Sequence, residues 1–518
     1  MVVTVDRRTL LKRLSAMALS APAASSWMNV APSWAANGGT LRIGVPESFS
    51  SLNPYKKIGR LDYNAVINIF DTLVTYGPDY VPAPALAESW KQTENTTWRF
   101  MLRKGVSFHD GTPFDAQAAK YSIEKMRTSN FGAQFKPISD VVVIDPATIE
   151  MKTSAPFPTL VAQLTQQYAS IVSPKAYEST GEQFGRKPVG SGPFKVDSFD
   201  PSRELVLVKN SAYWGKDSAG NPLPHIDKVV WRVLPDNDTA ALALQNGEID
   251  FLYAVPIAMA GSLSKDPNIK VLETPTLGWN YVMFNVQTAP FNNVHLRRAV
   301  QLAVNRQAII DTVTFGRGVP ALGPIAPRSW AYDPVVETTG PYGATARPEK
   351  AKAELKAAGM PDGFEFTVIY PAEAPFDAMA QAIQGQLEQV GIRTKLEGKD
   401  IGAALDDLFA SRFSALLIDW SGRIDEAMSL PSFFASDGGN NFGKYSNPKV
   451  DSLLMQAGNA SEIAKRKQLY QEVQKLIVED SPHLWISVPT EIRAMRSNVE
   501  GFVNYGDVRL RAATVSLK

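Results

Sequence analysis

The sequence predicts an α/β fold built around more than one core. Three observations carry this. Between Phe364 and Trp420, strand and helix patterns alternate strand–helix–strand–helix–strand, as in an open parallel sheet. A separate α/β block starts at Thr40, and a second begins near Pro275. The chain of 518 residues, 44% of them hydrophobic, is long enough to bury two cores.

The first block opens with Thr40-Leu41-Arg42-Ile43-Gly44-Val45, whose alternation reads as a strand. A polar loop from Pro46 to Pro54 follows, then a helix from Asp62 to Phe70. Trp98 to Leu102 alternates as a strand, and Asp110-Gly111 is a hairpin-turn signal. Asp115 is the expected N-cap of a helix running to Met126. Val189-Gly190-Ser191-Gly192-Pro193-Phe194 is a break, followed by a strand from Ile226 to Val233. A helix from Asp238 to Gln245 and a short strand from Ile249 to Leu252 complete the block.

In the second block, Tyr281 to Asn285 reads as a strand and His295 to Ile309 as one long amphipathic helix. Pro348 and Gly359 bracket a helix from Glu349 to Ala358. Phe364 to Ile369 is a strand, and Phe376, Met379, Ala380, Ile383, Leu387 and Val390 form the apolar stripe of the next helix. Strands at Ile392 to Leu396 and Ala415 to Ile418 enclose a helix from Ala403 to Ser411. Arg393 and Lys395 alternate with apolar residues on a solvated face. Helices starting at Asn447-Pro448 and Ser461-Glu462 precede a late strand, Leu484 to Val488. Ligands of open α/β sheets bind outside the carboxyl ends of the strands, which places Trp420-Ser421-Gly422-Arg423 at the candidate site.

The N-terminus reads as an export signal. Arg7, Arg8, Lys12 and Arg13 precede a short stretch rich in Ala and Ser, too short to span a membrane. Arg7-Arg8 resembles a twin-arginine motif, with Asp6 and Leu10 departing from the usual pattern; the other reading is a general secretory signal. Ser33-Trp34-Ala35 places cleavage after Ala35. Removing residues 1–35, with four basic residues and one acidic, changes the net charge from +1 to −2. The absence of cysteine removes disulfides, thiol nucleophiles and a lipid-modified N-terminal Cys. The expected location is therefore the periplasm, without a lipid anchor.

Little in the sequence points to catalysis. His109, His225, His295 and His483 are not at metal-ligand spacing and read as turn or surface histidines, so neither metal nor cofactor is expected. Gly190-Ser191-Gly192 lacks the Gly-x-Ser-x-Gly of a nucleophile elbow. There is no phosphate-binding loop, and no basic stripe suits nucleic acid. A hydrolase using two ordinary carboxylates stays open as a reading.

The segment Ala87 to Asp115 reads AESWKQTENTTWRFMLRKGVSFHDGTPFD. It resembles the signature of the dipeptide- and oligopeptide-binding proteins of ABC importers, extracellular solute-binding family 5. Val189 to Phe194, Asn246-Gly247-Glu248-Ile249-Asp250, Arg297-Arg298-Ala299-Val300, Ala357-Ala358-Gly359 and Asn447 to Asp451 extend the resemblance along the chain. It implies a type II periplasmic-binding-protein fold, two lobes joined by hinge strands. Lobe I is expected at 36–81, 186–275 and 489–518, with an extra subdomain at 82–185, and lobe II at 276–488. It also implies a monomer that closes over a small-molecule or peptide ligand and docks on inner-membrane permease subunits. Ligands in the family include peptides, opines, glutathione, oligosaccharides and metal chelates.

Trp420 is the first candidate for ligand contact, with core packing as the alternative. In similar peptide binders an aspartate three residues after this tryptophan pairs with the peptide amine; here Arg423 stands there, a reversal of charge. Arginine suits a carboxylate, because its planar fork donates two parallel hydrogen bonds. Asp425, two residues on, is a further ligand candidate that could meet an amine or neutralise Arg423; the other reading of Arg423 is an internal pair with Asp425 or a bridge between lobes. Gly422 belongs to the same turn. Phe49 and Ser48 are expected to face the cleft from the first lobe, and Trp279, Asn280 and Tyr281 from the crossing, with hinge packing as the alternative for each.

Overall fold

The computed structural model describes residues 38–518 apart from 78, 79 and 461; the export signal and its cleavage site lie outside the described residues. Thr40–Val45 forms where the alternation predicts, and its apolar residues Leu41, Ile43 and Val45 are buried. It is the middle strand of a seven-stranded sheet, flanked in parallel by Phe251–Leu252 and Lys228–Val233. Beyond these the sheet runs antiparallel, through Thr490–Arg496 and Ile269–Pro275 on one side and Glu204–Lys209 and Phe194–Asp200 on the other.

A second sheet of six strands has the order Val319–Pro320, His483–Val488, Trp279–Phe284, Ala415–Trp420, Glu365–Pro371, Arg393–Lys399. The parallel sheet expected from 364–420 is found there, since Glu365–Pro371 pairs in parallel with both neighbours. The whole sheet is nevertheless mixed. Trp279–Phe284 enters directly from the first sheet rather than through a crossover helix, and so pairs antiparallel on both sides. Each sheet has its own hydrophobic core, giving two lobes.

The chain passes between sheets twice, through Thr276 to Gly278 outward and through Pro489 back. The two passages are joined, the Thr276 amide donating to the Pro489 carbonyl at 2.9 Å. A four-stranded antiparallel sheet, Ala87–Glu94, Thr97–Leu102, Thr148–Thr153 and Ile138–Asp145, packs against the helix Ala116–Arg127. Asp115 caps that helix as predicted, accepting from the amides of Gln117 and Ala118.

The single helix expected at 295–309 is two, Val294–Ala303 and Arg306–Val313. Val304 is extended and Asn305 caps the second helix. The break turns Arg306 inward, where its guanidinium donates to the carbonyls of Ala321, Trp485 and Gln301. A polar group with that many buried partners outweighs the helical periodicity around it. One histidine differs from expectation: His483 is buried among Tyr281, Phe434 and Trp485, whereas His109 sits half-buried in its turn, against the Gly192 carbonyl at 3.0 Å. Burial pushes their pKa values down, to about 3 and about 4.

Candidate functional site

The site grows from the end of the Ala415–Trp420 strand. Gly422 turns the chain with φ +74, and a Cβ there would collide with the Leu277 carbonyl group. A Cβ on Gly278 would likewise collide with the Trp420 carbonyl. These two glycines let the passage between lobes and the loop after Trp420 run backbone against backbone. The loop then lines an inter-lobe cavity of about 310 Å³ through Trp420, Ser421, Gly422 and Arg423. That volume falls at the small end of the range for ligand sites.

Arg423 sits over Trp420, its guanidinium carbon 4.4 Å from the ring centroid. It donates to the Gly422 carbonyl at 2.6 Å and to Ser421 Oγ at 3.3 Å. Among the described residues no carboxylate lies within ion-pair distance of it. Its partial burial lowers its pKa.

The internal pair between Arg423 and Asp425 does not form. Asp425 is buried, accepts the amide of Ala427 and pairs with Arg466 at 2.5 Å. Asp425 therefore shapes the loop from behind and does not line the cavity.

The opposite wall comes from the helix Arg60–Ile69, the 163–168 segment and the C-terminal return. The return is clamped to that helix, the amides of Leu510 and Ala512 donating to the side chains of Asn64 and Asn68. This fixes Arg509 in the cavity wall, where it donates to Gln166 Oε1 at 2.8 Å and Gln167 Oε1 at 2.9 Å. Asp507 is engaged by Arg511 at 2.8 Å and by the Tyr76 hydroxyl at 2.7 Å. Burial raises its pKa, but Arg511 and Arg509 outweigh that and hold it at about 2.

Five expected contacts are elsewhere. Phe49 is buried in the first core, edge-on to Phe199 and Trp231, and Ser48 is exposed away from the cavity. Trp279 and Tyr281 pack on Phe433, and Asn280 donates to Ser487 Oγ at 3.0 Å. All three are drawn into the second core by a strand buried along its whole length. Conversely, the reading from sequence missed Arg60, Tyr63, Gln166, Gln167 and Arg509. One signal was available: Gln163, Gln166 and Gln167 are amides in an otherwise apolar stretch. Among the described residues no three His, Asp or Glu converge as a metal site, and no helix is long and apolar enough to cross a membrane.

The model of bacterial extracellular solute-binding proteins, family 5 Middle, matches residues 81–442. This chain belongs to that family. The glutathione-binding protein GsiB of Salmonella paratyphi A is 29% identical over 485 residues, covering 89% of this chain and 91% of that protein. The periplasmic binding protein DppA of Helicobacter pylori, solved with the peptide STSA, has a TM-score of 0.76 at 27% identity over 93% of this chain and 98% of its own. AgaA of A. tumefaciens R10, solved with agropinic acid, has a TM-score of 0.76 at 25% identity, covering 93% and 99%. The fold of this family 5 protein is thus the two-lobed, type II periplasmic-binding-protein fold, and it is the substrate-binding subunit of an ABC importer.

Proposed function

We propose that this family 5 protein is a non-catalytic, monomeric receptor of the periplasm that captures a peptide-sized solute bearing a carboxylate. It is exported by its N-terminal signal, through the twin-arginine route, and cleaved near Ala35. Lobe I comprises 36–81, 186–275 and 489–518 with the subdomain 82–185, and lobe II comprises 276–488. Closure of the lobes about Thr276 to Gly278 and Pro489 encloses the solute, and the closed form docks on separate permease chains.

One observation carries this reading: Arg423 stands in the inter-lobe cavity with no carboxylate partner among the described residues. A half-buried guanidinium without a counter-ion is left partly unsatisfied, and an incoming carboxylate supplies two charge-assisted hydrogen bonds to its fork. Trp420, beneath Arg423, presents a face to the ligand, and Gly422 lets the turn approach it. The relatives' named ligands support the class, because glutathione and agropinic acid both carry carboxylates. AgaA also favours a second reading, in which the solute is an opine rather than a peptide.

Native mass spectrometry of the purified full chain tests the function. The expected result is one small acidic solute per protein, released unchanged on denaturation. A hydrolase instead converts such a solute on incubation. Recovery of a neutral or purely cationic solute, or of a converted product, contradicts the proposal.

A further inference from the structure

The inter-lobe cavity is lined by cations and by no free anion. Arg60, Arg423 and Arg509 line it, and the only carboxylate among the described residues that do so is Asp507. Both oxygens of Asp507 are engaged. Arg511 donates to Oδ2 at 2.8 Å, the Tyr76 hydroxyl donates to the same oxygen at 2.7 Å, and the Arg509 amide donates to Oδ1 at 3.1 Å. The Asp507 side chain is 4% exposed. Asp419, beside Trp420 in sequence, is exposed and does not line the cavity. A ligand ammonium brought into the cavity therefore meets no carboxylate that is not already paired, and an ammonium left unpaired out of water is costly.

The wall opposite Arg423 is set to donate. Gln167 is buried and lines the cavity, and Arg509 donates to its Oε1 at 2.9 Å. A guanidinium has donors only, so this contact fixes which end of the amide is oxygen and leaves the N–H donors at the other end. An amide nitrogen carries two such donors, of which the Tyr63 hydroxyl takes at most one. The other has no acceptor among the described residues. Building on the anionic-ligand reading above, we infer that the site selects an anion whose amino end is capped by an acyl group, with Arg423 on the carboxylate and Gln167 donating to the acyl oxygen. Arg509 acts through Gln167 as a positioning residue. The ligand class is an N-acylated amino acid or short peptide. A free peptide of the same sequence would bring its ammonium to a wall that offers donors.

Isothermal titration of the full chain with the dipeptide Ala-Glu and with N-acetyl-Ala-Glu tests this. The wild type is expected to bind the acetylated form about tenfold or more tighter, since only the free form brings in an ammonium without a partner. Gln167→Leu removes the donor without changing charge and is expected to weaken N-acetyl-Ala-Glu about three- to tenfold more than Ala-Glu. Arg509→Met frees the Gln167 amide to turn and is expected to narrow the preference in the same way, while Arg509→Lys, which still donates, retains it. Arg423→Ala is expected to weaken both peptides. Equal affinities in the wild type, tighter binding of Ala-Glu, binding of neither, or a preference unchanged in Gln167→Leu or in Arg509→Met overturns the inference. Dependence on Arg423 without a preference for the acetylated form leaves the anionic-ligand reading standing and removes only this inference.

Discussion

Arg466 reaches Asp425 at 2.5 Å with both side chains only 9% exposed, and this pair is the reason Arg423 has no internal counter-ion. The carboxylate nearest in sequence to Arg423 is turned away, toward a helix more than forty residues on. Arg466 also stacks on Trp330, with its guanidinium carbon 5.1 Å from the ring. The loop is thus braced from behind while its cation faces the cavity.

Removing one partner of such a buried pair leaves the other charge uncompensated. Asp425→Asn is expected to lower stability by about 3–5 kcal/mol in urea unfolding. A loss under about 1 kcal/mol contradicts the bracing role. Arg423→Ala, which breaks no ion pair, is expected to unfold at nearly the wild-type denaturant midpoint.

Gly422 is the tightest point of the loop. Gly422→Ala places a Cβ against the Leu277 carbonyl at a positive φ, a strain of about 1–3 kcal/mol. Ligand affinity is expected to fall as well, because the loop and the passage between lobes shift together. Unchanged stability and affinity in paired melting and titration experiments would show that the close approach is dispensable.

Glu426 gives the pH dependence. Burial, and then the charge of Asp425 beside it, pushes its carboxyl up to about 8, and Ser329 donates to it at 2.5 Å. Between about 4.5, its ordinary value, and about 8 the folded chain holds a proton that the unfolded chain has lost. Its contribution to stability is therefore complete below 4.5 and is lost as pH rises through 8. Glu426→Gln has no such proton to lose, so its stability relative to wild type is expected to improve across that window. Parallel stability–pH curves for the two proteins contradict this.

An apolar cluster spans the lobes beside the cavity. Tyr76, Tyr80, Leu277 and Ile424 are buried in it, with Met428 and Tyr505 packed against them. Tyr505 does not line the cavity. Tyr505→Ala is expected to weaken every ligand by a similar factor, roughly three- to tenfold, by making the closed form less populated. A loss confined to some ligands would mean that Tyr505 contacts them directly.

Much of this fold was legible in the sequence because its strands and helices are periodic and sharply bounded. Thr40–Val45 follows its alternation, Asp115 and Asn447 cap the helices they precede, and Gly391 and Gly359 stop theirs. The break at Asn305 was hidden, because the apolar stripe continues through it and only the tertiary partners of Arg306 explain it. In the site, Trp420, Gly422 and Arg423 were legible since they follow the last parallel strand. The facing wall was not. Arg60 and Arg509 lie almost 450 residues apart, and only the clamp of Asn64 and Asn68 on the C-terminal return brings them to one cavity. Phe49 and Tyr281 misled because an aromatic next to a turn reads alike whether it faces a cleft or a core.

The anchoring role of Arg423 is best measured by titrating wild type, Arg423→Lys and Arg423→Ala with the acidic solute recovered from the native protein. The expected result is a loss of affinity of about tenfold or more in Arg423→Ala, part of it regained in Arg423→Lys, with all three equally stable. Equal affinity in all three proteins would contradict a carboxylate held by Arg423.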